Sequence, residues 1–144
     1  MNIYLSHNVL NLVYHFVCPT KYRRIVTDEH VDEVLKEICE GIELRYDYIE
    51  FLEIGADKDH VHFLVQSLPS YAASKIISVI KSITARRIFT ECPEVKKKLW
   101  GGQFWSDGYF VSTVGKHNNE NVIQEYVKNQ GKQDEYKQLA LKIR

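Results

Sequence analysis

The sequence predicts an α+β fold of the ferredoxin-like kind: an antiparallel sheet of four or five strands with helices on one face, and a further helix at the C-terminal end. Three observations predict it. Strand-like and helix-like segments follow one another in the order β-α-β-β-α-β-α. The two middle strands are joined by a short polar connection of hairpin length, so they pair directly. Each of the two long helical segments carries one apolar stripe, which is what two crossover helices need to cover one side of a sheet.

Each element has its own justification. The first strand covers residues 11–17 (NLVYHFV): Leu12, Tyr14 and Phe16 share one face, Val13, His15 and Val17 the other, and Pro19 ends it. A basic loop with an aromatic inside follows, Lys21-Tyr22-Arg23-Arg24. Thr27 or Asp28 caps a helix reaching about Tyr46, with Val31, Val34, Leu35, Ile38 and Ile42 on one stripe and acidic residues opposite. The second strand covers 48–54, the polar connection 55–59 (GADKD), and the third strand 60–66 (HVHFLVQ). Pro69 and Ser70 open a second helix reaching about Phe89, buried through Ile76, Ile80, Ile83 and Ile88 and basic outside through Lys75, Lys81, Arg86 and Arg87. A cationic loop, Lys96-Lys97-Lys98, leads into an aromatic and glycine-rich stretch, WGGQFW at 100–105, and a fourth strand at 109–114. A third helix at 119–130 ends at Gly131, a suitable C-cap.

Composition narrows the class. At 144 residues and 44% hydrophobic, the chain suits one domain whose core needs neither disulfides nor a structural metal. No apolar run approaches the ~18 residues of a membrane span, and no cation precedes the apolar part of the first sixteen residues, as a signal peptide requires. Cys18, Cys39 and Cys92 are odd in number and form no C-x-x-C, so they read as reduced thiols of a cytoplasmic protein. The net charge is zero but unevenly spread: −6 over residues 1–57 and +6 over 58–144. That asymmetry fits either one basic, anion-binding face or two opposite faces that pair within the fold.

Three groups of residues carry chemistry. His60 and His62 alternate on one strand, so both imidazoles point away from the face of Val61, Phe63 and Val65 that the helices cover. Two imidazoles converging on an open sheet face suit a divalent metal, and equally describe two ligand-free histidines. Tyr126 and Gln130 stack at i and i+4 on the third helix, either as site residues or as a core tyrosine and a solvated end residue. Aromatics interleave with cations at Tyr22 within the 21–24 loop and at Trp100, Phe104, Trp105 and Tyr109 beyond the lysines. Such planes stack on unpaired bases, or close the edge of a small core.

With these residues in hand, the chain resembles the small single-tyrosine HUH transposases of the insertion-sequence 200/605 group. The matching pieces are YHFVCPTKYRR at 14–24, DKDHVH at 57–62, FWSDGYFVSTVG at 104–115 and VIQEYVKNQ at 122–130, in that order. The resemblance covers roughly residues 8–131 of a single domain spanning 1–144, and leaves the tail 132–144 uncovered. It implies that His60, His62 and Gln130 hold Mg²⁺ or Mn²⁺. It implies that Tyr126 attacks a phosphodiester in single-stranded DNA, leaving a 5′-phosphotyrosine link and a 3′-hydroxyl. It implies a homodimer with each site joining the histidines of one subunit to the tyrosine helix of the other, and the reach of that helix leads us to expect the dimer to be built around the fourth-strand edges. The 115–119 segment (GKHNN) is the hinge for that exchange. Subterminal DNA hairpins then engage Lys21, Arg23, Arg24, Lys81, Arg86 and Arg87 through phosphates, with Trp105 as a stacking plane. Three alternatives stay open: a domesticated relative acting on chromosomal repeat hairpins, a non-enzymatic RNA- or single-strand-binding module of the same fold, and a metal-dependent hydrolase using Asp57 and Asp59.

Overall fold

The computed structural model describes residues 12–21, 29–57, 59–99, 102–114 and 127, and the backbone of 3–5 and 8–10. Strands β1 (Ile3–Leu5) and β2 (Asn8–Leu10) pair antiparallel as a separate ribbon. The main sheet joins β3 (Leu12–Pro19), β4 (Glu50–Ala56), β5 (His60–Ser67) and β6 (Phe110–Val114) in the spatial order β4-β5-β3-β6, antiparallel throughout. The helices are α1 (Glu29–Arg45), α2 (Ala73–Glu91) and the short α3 (Pro93–Lys98). The β4–β5 hairpin and the crossovers through α1 and α2 put β3 and β5 in the centre and β4 and β6 at the edges. This is the ferredoxin-like order the sequence predicts.

Side-chain alternation explains the layering. Phe16 and Cys18 on β3 and Val61, Phe63 and Val65 on β5 meet Val31, Val34, Leu35, Ile38 and Ile42 of α1 and Ile76, Ile77, Ile80 and Ile88 of α2 in the main core. Glu29 and Asp32 in the first turn of α1 and Arg45 in its last complement the helix dipole. On β4 the pairing with β5 slips between Phe51 and Glu53, a bulge on an edge strand. The other sheet face carries a second, smaller buried cluster of Val13, Leu64, Val114 and Val127.

Several expectations need correction. The face carrying the histidines is not fully open: Val127 packs on it against Val13, Leu64 and Val114, and β5 is buried along nearly its whole length, while Phe110 at the β6 edge stays exposed. β3 runs through Pro19, whose carbonyl accepts the Ser106 N–H, and the next residue, Thr20, bridges to Trp105. Gly55 and Ala56 belong to β4, which shortens the hairpin turn. The Lys96–Lys98 loop is the last turn of α3: Pro93 opens that helix, Glu94 lies in its first turn and the lysines near its C-terminus suit the dipole. Val127 is helical, as expected. Tyr22, Arg23, Arg24, Trp100, the 115–119 hinge, Tyr126, Gln130, the tail 132–144 and the rest of the third helix lie outside the described residues.

Candidate active site

The turn between β4 and β5 builds the site. Asp57 N–H donates to the His60 carbonyl at 3.0 Å. Asp57 Oδ1 accepts the backbone N–H groups of Asp59 at 3.0 Å and His60 at 2.7 Å. An aspartate that closes a turn on its own following amides is held in one rotamer. That rotamer aims the carboxylate at both histidines: Oδ1 lies 3.5 Å from His60 Nδ1, and Oδ2 lies 3.8 Å from His62 Nε2. His60 Nδ1 is also 2.7 Å from Asp59 Oδ1. The two-residue period of β5 puts both imidazoles on the same side, at the end of the sheet where Thr20 N–H donates to the Asp59 carbonyl.

Burial then sets the charges. His62 is 1% exposed, and its Nδ1 lies 3.0 Å from Nε2 of His15, also buried, with the two rings stacked 5.2 Å apart. Burial lowers the His15 pKa to about 3, helped by the proximity of His62. Burial lowers His62 as well, against the opposing pull of Asp57. Burial alone pushes the Asp57 carboxyl up, but the His62 imidazole and the backbone N–H groups of Asp59 and His60 outweigh it and hold the group at about 2. At neutral pH the centre is thus an ionised carboxylate between imidazoles, with His15 and His62 neutral.

Neutral imidazole nitrogen and carboxylate oxygen are the donor set of a divalent first-row metal. Asp57, Asp59 and His60 bring one ligand atom each within 4.8 Å of one another, and His62 Nε2 faces the same Asp57 carboxylate. The residues present therefore fit the metal that the sequence leads one to expect. The nitrogen share of the set suits Mn²⁺ at least as well as the oxygen-preferring Mg²⁺.

The other expected site residues divide. Val127, next to Tyr126 in sequence, is buried on the histidine face of its own chain. Among the described residues, Val127 alone reports where the third helix lies. Trp105 offers no stacking plane: it is buried, packs edge-on against Phe63 and Phe104, and donates Nε1–H to Thr84 Oγ1 at 3.0 Å. Lys81 donates to the carbonyls of Ser106 and Gly108, both at 3.1 Å, and so ties down the corner before β6. Arg86 and Arg87 are exposed on α2, Arg87 beside Glu91 at 3.4 Å. Lys21 is exposed and donates to the Gln103 side chain. Sequence reasoning gave His15 no role, and weighed Asp57 only as a hydrolase ligand. The signal for His15 was its parity with Val13 and Val17, which becomes informative once β3 is known to pair with β5.

A ferredoxin-like sheet, here with a histidine pair on its central strand, is the architecture that known relatives share with this chain. The family model described as "Transposase IS200 like" matches residues 8–130. The chain belongs to the IS200-like transposase family. It is 34% identical over 122 residues to the ISDra2 transposase TnpA of Deinococcus radiodurans, covering 85% of this chain and 86% of that one. It is 31% identical over 134 residues to the transposase for insertion sequence element IS200 of Salmonella typhimurium, covering 90% and 84%. Among solved structures, a crystal structure assigned as a transposase from Deinococcus radiodurans superposes with a TM-score of 0.69 at 32% identity, covering 91% of this chain and 98% of the other. A REP-associated tyrosine transposase bound to a REP hairpin shares the fold, with a TM-score of 0.57 at 12% identity and coverage of 88% and 70%.

Proposed function

We propose that this transposase cuts and rejoins single-stranded DNA at insertion-sequence ends by a metal-dependent reaction in which Tyr126 is the nucleophile. The observation that carries the reading is the convergence of His60 and His62 on the Asp57 carboxylate, on the same sheet face where Val127, next to Tyr126, is buried. A phenol has an ordinary pKa near ~10, so it attacks only when held in line and partly stripped of its proton at the phosphate. His60, His62 and Gln130 would hold Mg²⁺ or Mn²⁺, with Asp57 beside them. When bound, the ion polarises the scissile phosphate and offsets charge in the transition state. Tyr126 Oη forms the bond to phosphorus, and the 3′-oxygen leaves and takes up a proton. The resulting phosphotyrosine ester conserves the bond for a second strand.

DNA hairpins are the proposed partner, as the related fold bound to a REP hairpin suggests. Arg86 and Arg87 on α2, with Lys21 and the neighbouring Arg23 and Arg24, supply phosphate contacts. α2 covers the sheet face opposite the histidines, so a hairpin held there sends its single strand round the sheet to reach Tyr126. A homodimer paired through β6 is part of the proposal: Phe110 is 73% exposed and Val111 42% on that edge strand.

The test is a denaturing gel of hairpin-bearing single-stranded DNA with Mg²⁺ or Mn²⁺. A covalent protein–DNA band that EDTA abolishes and Tyr126→Phe lacks is expected. An adduct surviving in Tyr126→Phe refutes the nucleophile. Mixing Tyr126→Phe with His60→Ala subunits separates two seats for the tyrosine helix. Rescue means that sites are completed between subunits, as the sequence leads one to expect. Heterodimers without rescue mean that each helix serves its own sheet, the seat that Val127 favours.

A further inference from the structure

His15 is a buried polar residue that the proposed chemistry does not use. It sits on β3 opposite Leu64, diagonal to His62, within an unbroken ladder of eight β3–β5 pairs. Burying an imidazole is costly unless its nitrogens find partners. One of them does: His15 Nε2 lies 3.0 Å from His62 Nδ1.

That contact constrains His62 more than it constrains His15. A neutral imidazole carries one N–H and one lone pair, and only the nitrogen with the lone pair can ligate a metal. His62 Nε2 is the nitrogen that faces the Asp57 carboxylate, while Nδ1 faces His15. For Nε2 to ligate, the proton must sit on Nδ1, and it is then donated to His15 Nε2. His15 in turn must keep its own proton on Nδ1. If the hydrogen bond runs the other way, His62 carries Nε2–H, which points at Asp57 and blocks ligation.

We propose that His15 is a positioning residue that accepts the Nδ1–H of His62 and so holds its Nε2 as a metal-ligating lone pair. The inference rests on the metal reading of the His60–His62 pair. Histidine ligands are generally oriented through their second nitrogen, and loss of such a partner weakens metal binding by roughly 10–100-fold. Here the partner is supplied by a neighbouring central strand rather than by a loop, so its position is fixed by the sheet ladder.

The experiment uses the full chain. Mn²⁺ alone is titrated calorimetrically into the wild type, His62→Ala, His15→Leu and His15→Gln. Two-bond ¹⁵N–¹H correlation spectra report the His62 tautomer with and without Mg²⁺. The expected result is Nδ1–H on His62 in the Mg²⁺-loaded wild type, Mn²⁺ affinity roughly 10–100-fold lower in His15→Leu, and recovery to within a few-fold in His15→Gln, whose amide oxygen can still accept. A merely structural role predicts equal loss in both variants and no change of tautomer. Unchanged Mn²⁺ affinity in His15→Leu, or Nε2–H on His62 in the loaded protein, overturns the proposal while leaving the metal site standing. Absence of Mn²⁺ binding by the wild type, or wild-type affinity in His62→Ala, overturns the metal reading and this proposal with it. If His15→Leu fails to fold, the wild-type tautomer decides alone.

Discussion

Replacing Asp57 by Asn isolates the charge at the centre of the site. The amide keeps an oxygen where Oδ1 accepts the N–H groups of Asp59 and His60, so the turn can persist. What disappears is the ionised carboxylate facing His60 and His62. In the folded chain that carboxyl titrates at about 2, against 3.8 for an ordinary aspartate, and the difference corresponds to ~2 kcal/mol of stability at neutral pH. Because the folded value is the lower one, the unfolded chain takes up its proton first as pH falls. The stabilisation is therefore whole above about pH 5 and is lost as pH drops through 4 towards 2. Urea unfolding followed by tryptophan fluorescence, in EDTA, measures it at pH 7 and pH 2.5. Asp57→Asn is expected to be less stable than the wild type by ~2 kcal/mol at pH 7, the gap shrinking to under ~1 kcal/mol at pH 2.5. A gap of the same size at both pH values refutes the electrostatic argument and assigns the effect to turn geometry.

Other outcomes follow from the same structure. Thr84→Val keeps the shape of a buried side chain but strands the Trp105 indole N–H, and should cost ~1–3 kcal/mol in urea unfolding. Phe110→Glu, which adds charge to the exposed β6 edge, should convert a dimer to a monomer by light scattering without shifting the urea midpoint of the monomer. Arg86→Ala combined with Arg87→Ala should flatten the log–log salt dependence of hairpin affinity by ~1–2, each phosphate contact contributing a slope of ~0.7–0.9. An unchanged slope removes α2 from the DNA interface.

The strands and helices were legible because each has its own period. The stripe of Val31, Val34, Leu35, Ile38 and Ile42 is buried as read, as are Ile76, Ile80 and Ile88. The histidine pair was legible for the same reason, since alternation on β5 fixes its face. Its environment was harder to read. Leu64 between His62 and Gln66 was the local sign that this face is covered, but the cover itself, Val127, is distant in sequence. His15 needed the β3–β5 register, a long-range pairing that no local pattern states. Trp105 shows the opposite failure: an aromatic near cations invites a nucleic-acid reading, and only the hydrogen bond to Thr84, one helix away, reveals a core residue. For α3, Pro93, Glu94 and the three lysines carried a helix signature outweighed by the cationic appearance of the segment.

The two edges of the main sheet are unlike. β4 ends the sheet with a bulge between Phe51 and Glu53 and with two carboxylates, Glu50 and Glu53, along its length. β6 ends it with a short, regular strand exposing Phe110 and Val111. Strand addition therefore has one usable direction. Two chains meeting through β6 use up the receptive edges of both main sheets at once and, among the described strands of that sheet, leave the bulged, acidic β4 margins outside. Such an assembly terminates at two by construction, and growth into a filament is closed off without any separate capping element.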